Sequence, residues 1–532
     1  MIWDYIKDKL LSVDLVNRHY ELLFDGYNNL YECFYKIYLE QKDELFVVYD
    51  NEDFTYGNIY ILIETICSNL ERRYGNNKPL NVGVLLDSSV YYICFLLAIN
   101  KMGWISILYP TKYGSYEIND LIKIIDIDLL ISETNFNDVI DGLDKDVECL
   151  NFKDCLLECD LCVIKATSER YYNFLDIETL EKDAIIMFTS GTTSHSKASV
   201  IKNFNLVHAI ETYKNIFQLS KYDSTLLATP IYNITGIVGI FSTIMSCGGI
   251  IYLHSKFNID NLVDGLKRFK ITYFHSSSVV LKKIIESSKS KVFNNIRLVA
   301  CGSSMLSSND INRIKAIMPN ASIRVIYGLT ESSSPGAIFP VDIYKHNKIN
   351  SSGIAIPGLE IKIIDDYFRD VGFNTIGEIG IKGTNVITRY IPDNNELINE
   401  DGLLRTGDLG YVDNDGFLFV KDRKKDIINR GGEKIFGLEV EECLYNIKQV
   451  KEVAVVAKHD EIYGEVPVAV ISTYDNEKIN INMIVNFLET RLAKYKIPVD
   501  YYFIKELKKT KNNKIDKKAL RDLVNCVSDN IK

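Results

Sequence analysis

The sequence predicts an α/β protein with largely parallel sheets, and three observations carry that prediction. Short β-rich apolar runs alternate with longer helical patterns over most of the 532 residues. After about residue 350 the runs shorten and are separated by Gly or Asp turns. From about Lys425 a compact segment of mixed helix and strand character leads into a lysine-rich tail. Alternation means that helical crossovers join the strands, which is how parallel neighbours are connected. Ligands then bind in the loops at the carboxyl ends of the strands.

The elements follow in order. Strands are predicted at Asn81–Leu86, Asp128–Ser132, Ala184–Thr189, Ile271–His275 and Arg297–Ala300. Amphipathic stretches such as Tyr91–Lys101 and Ile311–Met318 supply the helices. The runs Glu360–Ile364, Gly377–Lys382 and Gly416–Lys421 predict a small antiparallel barrel or meander.

Composition excludes several classes. Hydrophobic residues are 47%, charged residues 25%, and there are 10 prolines, which is a globular balance. At ~100–200 residues per domain the chain has room for several domain-sized units. With Lys+Arg 61 against Asp+Glu 71 the net charge is −10, a poor basis for general nucleic-acid or anionic-membrane binding. Phosphates can still bind at a local basic site. An odd count of 11 cysteines, and a start (MIWDYIKDKLLSVD) lacking a signal-peptide core, predict a reduced, cytoplasmic protein with free thiols.

Residues 224–255 contain no Asp, Glu, Lys or Arg, which is long enough for a membrane span. Pro230, Asn233, Gly236, Gly239, Gly248 and Gly249 interrupt the stretch. It divides into a helix-like piece (237–245) and a strand-like piece (250–253). The expectation is a buried loop–helix–strand unit rather than a span.

The sharpest local signal follows the strand AIIMF: Thr189-Ser190-Gly191-Thr192-Thr193-Ser194-His195-Ser196-Lys197. Small hydroxyl residues around a glycine leave N–H and O–H donors free to surround a polyphosphate, and the lysine adds positive charge. The alternative is a solvated Ser/Thr turn. Tyr327-Gly328-Leu329-Thr330-Glu331, Thr406-Gly407-Asp408, Asp422–Lys434 and Lys511–Leu520 follow in order. Taken together they resemble the adenylate-forming (AMP-binding) superfamily, and in motif style most closely its acyl-CoA synthetases. Relative to that family's usual loop, Ser194, Ser196 and Ala198 replace glycine, proline and glycine.

The resemblance carries roles to these positions. Thr189, Ser190, Gly191, Thr192, Thr193 and Lys197 would hold ATP phosphates. Tyr327 would stack on adenine, and Gly328 would belong to the same ATP/AMP-binding site. Thr330 would hold the α-phosphate and Glu331 the Mg2+, since a carboxylate beside phosphates needs a hard cation between them. Asp408 would bind the ribose hydroxyls and Arg423 the ribose or phosphate. Lys425 falls at the inter-domain hinge. Arg430-Gly431-Gly432-Glu433 is similar to the coenzyme A channel of acyl-CoA synthetases. Lys514, one of seven lysines between Lys505 and Lys518, aligns with the catalytic lysine. An acid pocket is expected from Tyr232, Asn233, His275, Ser276, Cys301, Gly302 and Ser303, with His275 equally readable as a hydrogen-bonded core residue.

The implied architecture is a large N-terminal domain (1–422) of two α/β subdomains plus a small β-barrel, and a mobile α+β lid (425–532). The implied reaction activates a carboxylic acid with Mg·ATP and passes the acyl group to a thiol. Coenzyme A is the expected acceptor, with carrier-protein phosphopantetheine as the alternative. A nucleotide-binding, non-catalytic homologue is the alternative of another class. Cys155, Cys159 and Cys162 have the C-x₃-C-x₂-C spacing of an iron–sulfur site, but the leucines around them argue for core packing.

Overall fold

The computed structural model describes residues 3–75, 78–144, 147–157, 174–190, 196–255, 258–288, 291–302, 306–394, 396–474, 479–510 and 514–526. The chain forms two compact units. The first comprises Met1–Met305, Asn312–Ile361 and Ile381–Leu404. The second comprises Leu306–Ile311, Lys362–Gly380 and Arg405–Lys532. Arg405–Arg423, ahead of the expected hinge, thus groups with the rest of the chain's end.

Two large sheets organise the first unit. One has seven strands in the order Arg389–Ile391, Ser196–Lys202, Asp183–Ser190, Ile105–Leu108, Asn81–Leu85, Leu129–Ser132, Cys149–Asn151. Its middle is parallel, and Ser196–Lys202 pairs antiparallel with both neighbours. The other has nine strands, with the parallel run Leu45–Tyr49, Ile250–Leu253, Ser224–Leu226, Tyr273–Ser277, Leu298–Gly302, Ser322–Tyr327 at its centre. Strands covered on both faces read as continuous apolar runs, and Leu129–Ser132 is buried at all four positions. The predicted strands therefore fall where expected, within about two residues at each end.

The helix Val90–Lys101 starts where Ser89 accepts a hydrogen bond from the Tyr92 N–H. The charge-free stretch resolves into strand Ser224–Leu226, a wide-turn helix Thr235–Ser242 continued by Thr243–Met245, and strand Ile250–Leu253. No helix among the described residues is long and apolar enough to cross a membrane.

The later runs form a four-stranded sheet in the order Leu359–Ile364, Gly377–Gly383, Leu404–Val412, Leu418–Arg423, the meander of the two forms expected. In the second unit a five-stranded sheet carries Val450–Asp460 paired antiparallel with Gly464–Thr473. Helix Gly437–Leu444 packs on it, as does Lys517–Cys526 through Leu520 and Val524. Cys155 is buried in the short turn Phe152–Cys155, and burial pushes its thiol up to about 12. Cys159 and Cys162 lie outside the described residues.

Two histidines sit in the core of the first unit. His208 is fully buried; its Nδ1 accepts from the Leu23 N–H at 3.0 Å and its Nε2 donates to the Pro357 carbonyl at 2.8 Å. Burial lowers both His208 and His275 to about 4 from an ordinary 6.5. A folded-state value below the unfolded one means that the proton favours the unfolded chain. The neutral rings therefore contribute full stability above pH 6.5, and that contribution is lost as pH falls towards 4. With values of 6.5 unfolded and about 4 folded, the loss by pH 5 is on the order of 2 kcal/mol per histidine. Urea unfolding midpoints should fall steeply between pH 6.5 and 5; a flat profile there would contradict these environments.

Candidate active site

Parallel register places predicted site residues side by side in the first unit. Ser276 pairs with Cys301 and Ser277 with Gly302. Cys301 pairs in turn with Val325, two residues before Tyr327. Ser276, Cys301, Gly302 and Tyr327 thus mark the carboxyl ends of three neighbouring strands. Ser276 is 2% exposed, and its hydroxyl has no partner among the described residues. Asn233 opens the neighbouring helix, its carbonyl accepting from the Ile237 N–H at 3.0 Å. Tyr232 is buried just before it; burial raises its phenol, and a hydrogen bond with Thr111 works the other way.

His275 is 1% exposed, with Nδ1 at 3.0 Å from the Tyr273 hydroxyl and 3.2 Å from the Gly239 carbonyl. Of the two roles the sequence leaves open for it, these are the surroundings of the core histidine. Its contacts hold the helix Thr235–Ser242 against strand Tyr273–Ser277.

The expected phosphate segment joins two antiparallel strands, in which Thr189 pairs with Lys197 and Ser190 with Ser196. Gly191, Thr192 and Thr193 lie outside the described residues, as does Ser303. Lys197 is half-buried, and no carboxylate among the described residues pairs with it. A half-buried cation without a counter-ion is suited to an anionic ligand.

Thr330 and Glu331 occupy a single turn, Thr330–Ser332. The chain then passes through Ser333 (φ 50°) and Ser334 (φ 94°), left-handed conformations unusual for serine. This brings the Ser334 carbonyl so close to Gly328 that any Cβ there would strike it. The Tyr213 hydroxyl lies 2.9 Å from Ser334 Oγ and buttresses the turn.

A strap of three residues fixes that turn from the other side. The buried Asn385 donates through Nδ2 to the Ser332 carbonyl at 2.7 Å, and also to the Pro335 carbonyl. Ile387 N–H donates to the Glu331 carbonyl at 2.9 Å. The Tyr390 hydroxyl donates to Glu331 Oε1 at 3.3 Å. Burial raises the Tyr390 phenol, and the adjacent Glu331 raises it further. The strap is held in turn by Asn205, at the start of helix Asn203–Phe217. Its Nδ2 donates to the Thr384 and Val386 carbonyls at 2.7 and 3.0 Å.

Sequence reasoning did not single out Asn205, Asn385 or Tyr390. An asparagine near a helix start is a capping signal. The other two carry no local signal, because their partners lie 50 or more residues away.

The Glu331 site fits a hard cation. No cation among the described residues pairs with the carboxylate, and a hydroxyl residue, Thr330, precedes it. Among the described residues no group of three or more His, Cys, Asp or Glu side chains could hold a metal unaided. One carboxylate completed by substrate phosphates is the usual way of holding Mg2+. A cavity of about 400 Å³, lined by Arg18, Arg389, Tyr390, Asp393 and Ile398 among others, includes none of the predicted site residues.

In the second unit Asp408 and Arg423 face each other across a strand pair, Arg423 Nε lying 3.0 Å from Asp408 Oδ1. The Asp408 side chain is 6% exposed and its N–H donates to Thr406 Oγ1 at 3.1 Å. Lys425 is exposed in the turn Lys424–Asp426. Gly431 (φ 56°) and Gly432 (φ 93°) form the two-residue turn between strands Ile428–Arg430 and Glu433–Ile435. Both positions require positive φ, the geometry that selects Gly-Gly in a tight hairpin. Glu433 is exposed. Lys514 is exposed, and Thr510 N–H donates to its carbonyl at 2.7 Å.

Known proteins show the same organisation. The family model described as AMP-binding enzyme matches residues 37–391, and that described as AMP-binding enzyme C-terminal domain matches 439–514. An indoleacetate–CoA ligase of Aromatoleum aromaticum is 27% identical over 498 residues, 90% of this chain and 94% of that protein. A 2-succinylbenzoate–CoA ligase of Bacillus pumilus is 32% identical over 346 residues, 64% of this chain and 69% of that one. The o-succinylbenzoate CoA synthetase of Bacillus subtilis, solved with its acyl-adenylate intermediate, superposes with a TM-score of 0.81 at 23% identity, covering 92% of this chain and 98% of that one. With both of its parts matched, the chain belongs to the AMP-binding enzyme family.

Proposed function

We propose that the chain is an AMP-forming acid–thiol ligase that makes the CoA thioester of a carboxylic acid, with an aryl acid as the substrate class. The observation that carries this is the strapped Thr330–Glu331 turn beside the strand bearing Lys197. A carboxylate, a hydroxyl residue and a cation that pairs with no carboxylate among the described residues, gathered at strand ends, suit the phosphates of Mg·ATP. The acid class rests on relatives named as ligases of indoleacetate, 2-succinylbenzoate and 4-coumarate.

In the first step an acid oxygen attacks the α-phosphorus, the bond to the β-phosphate oxygen breaks, and pyrophosphate leaves. Bound Mg2+ would neutralise phosphate charge there. Lys197 and Thr330 hold phosphate oxygens, Tyr327 stacks on the base with Gly328 in the same nucleotide site, Asp408 binds the ribose, and Arg423 binds the ribose or a phosphate. Lys514 places positive charge between carboxylate and phosphate. In the second step the thiol sulfur attacks the acyl carbon, the carbon–oxygen bond to phosphate breaks, and AMP leaves. Lys425 stands at the proposed hinge of the lid (425–532), and Gly431–Glu433 are the proposed thiol channel. One site can then run two chemistries in turn.

Coenzyme A is preferred over a carrier protein because the relatives are named as CoA ligases. The test is AMP release with an aryl acid and ATP, comparing coenzyme A with a holo-carrier protein. Thioester formed on coenzyme A is expected; thioester confined to the carrier would refute the acceptor.

A further inference from the structure

We infer that Tyr390 is the positioning residue for the Glu331 carboxylate, holding it in the orientation that receives Mg2+ together with the ATP phosphates. This rests on the function proposed above, which gives Glu331 its metal role but no means of aiming it.

The geometry supplies the means. The backbone of Glu331 is fixed by Ile387, but its side chain retains several rotatable bonds. The Tyr390 hydroxyl, 3.3 Å from Oε1, is the only side-chain donor to that carboxylate among the described residues. Tyr390 is itself well fixed. It is 3% exposed and lies in strand Arg389–Ile391, in register with Ser199 of the strand that carries Lys197. A rigid aromatic side chain on a paired strand sets a direction that a loop residue could not.

The chemistry of the donor matters as well. A carboxylate has about four acceptor sites, so one phenol hydrogen bond leaves the remainder open to a cation. A neutral phenol orients the group without cancelling its charge. An arginine or lysine in its place would pair with Glu331 and compete with the metal. Partners one step removed from a metal ligand act in this way, and their loss typically weakens metal affinity about 10–100-fold.

Tyr390→Phe removes the hydroxyl and keeps the ring. The test reads binding of a fluorescent ATP analogue by anisotropy, without acid, while Mg2+ is titrated. The Mg2+ midpoint should rise about tenfold in Tyr390→Phe. At saturating Mg2+ the analogue should bind as tightly as to the wild type. In a Glu331→Gln background the same substitution should add little, because the two residues act as one unit. Equal weakening at every Mg2+ concentration, or an unmoved midpoint with wild-type binding, would overturn the inference while leaving the proposed function standing. Binding of the analogue to the wild-type chain with no Mg2+ dependence would instead remove the metal role of Glu331 and this inference with it.

Discussion

Lys514→Ala should lose at least ~10²-fold of its acid-dependent pyrophosphate exchange while still forming thioester from supplied acyl-adenylate and coenzyme A. The adenylation step brings an anionic carboxylate onto an anionic phosphate. Two like charges approach only if positive charge stands between them, and a mobile ammonium can do that. Lys514 is exposed, so its removal leaves no cavity in the core. A loss of activity would therefore report on chemistry and not on folding. On the roles proposed above, the second half-reaction does not use Lys514. The two half-reactions should separate; an equal fall in both would show that the role assigned to Lys514 is wrong.

Three residues further on, Lys517 should behave in the opposite way. Lys517→Met should destabilise the second unit by about 3 kcal/mol. The Lys517 side chain is 16% exposed and its ammonium nitrogen is shielded from solvent. It lies 2.9 Å from Glu441 Oε1 and 3.9 Å from Asp422 Oδ1, whose side chains are 7% and 2% exposed. Burial pulls the lysine down, but Glu441 and Asp422 more than offset it, so it stays protonated. Burial raises the Asp422 carboxyl despite the lysine and the Arg423 and Leu438 N–H groups that bond to it. Removing the cation would leave two buried carboxylates facing each other. Urea unfolding with a second-unit probe measures the loss, and Glu441→Gln combined with Lys517→Met should recover part of it. A change below ~1 kcal/mol would mean that solvent reaches the cluster.

The contrast between Lys514 and Lys517 shows what the sequence reveals. Seven lysines crowd Lys505–Lys518, and only the spacing of Ile515, Asp516 and Leu520 marks Lys514. Nothing local marks Lys517 as buried, because its partners come from Asp422 and Glu441, far away in sequence. The parallel strands were legible because continuous apolar runs such as AIIMF leave few other readings. The glycines of residues 224–255 likewise revealed a loop–helix–strand unit. Tyr390 and Asn385 were not legible, since each acts through one polar atom reaching a turn 50 or more residues away. Gly431-Gly432 was legible as a family motif, and the structure adds a tight hairpin with positive φ at both positions.

The most direct measurement is radiolabelled pyrophosphate–ATP exchange across a broad panel of carboxylic acids, aryl acids included, with Mg2+ present. An acid–CoA ligase predicts exchange that depends on one acid class and disappears on chelation of Mg2+. ATP binding without exchange on any acid would contradict it and point to a nucleotide-binding homologue that no longer forms adenylates.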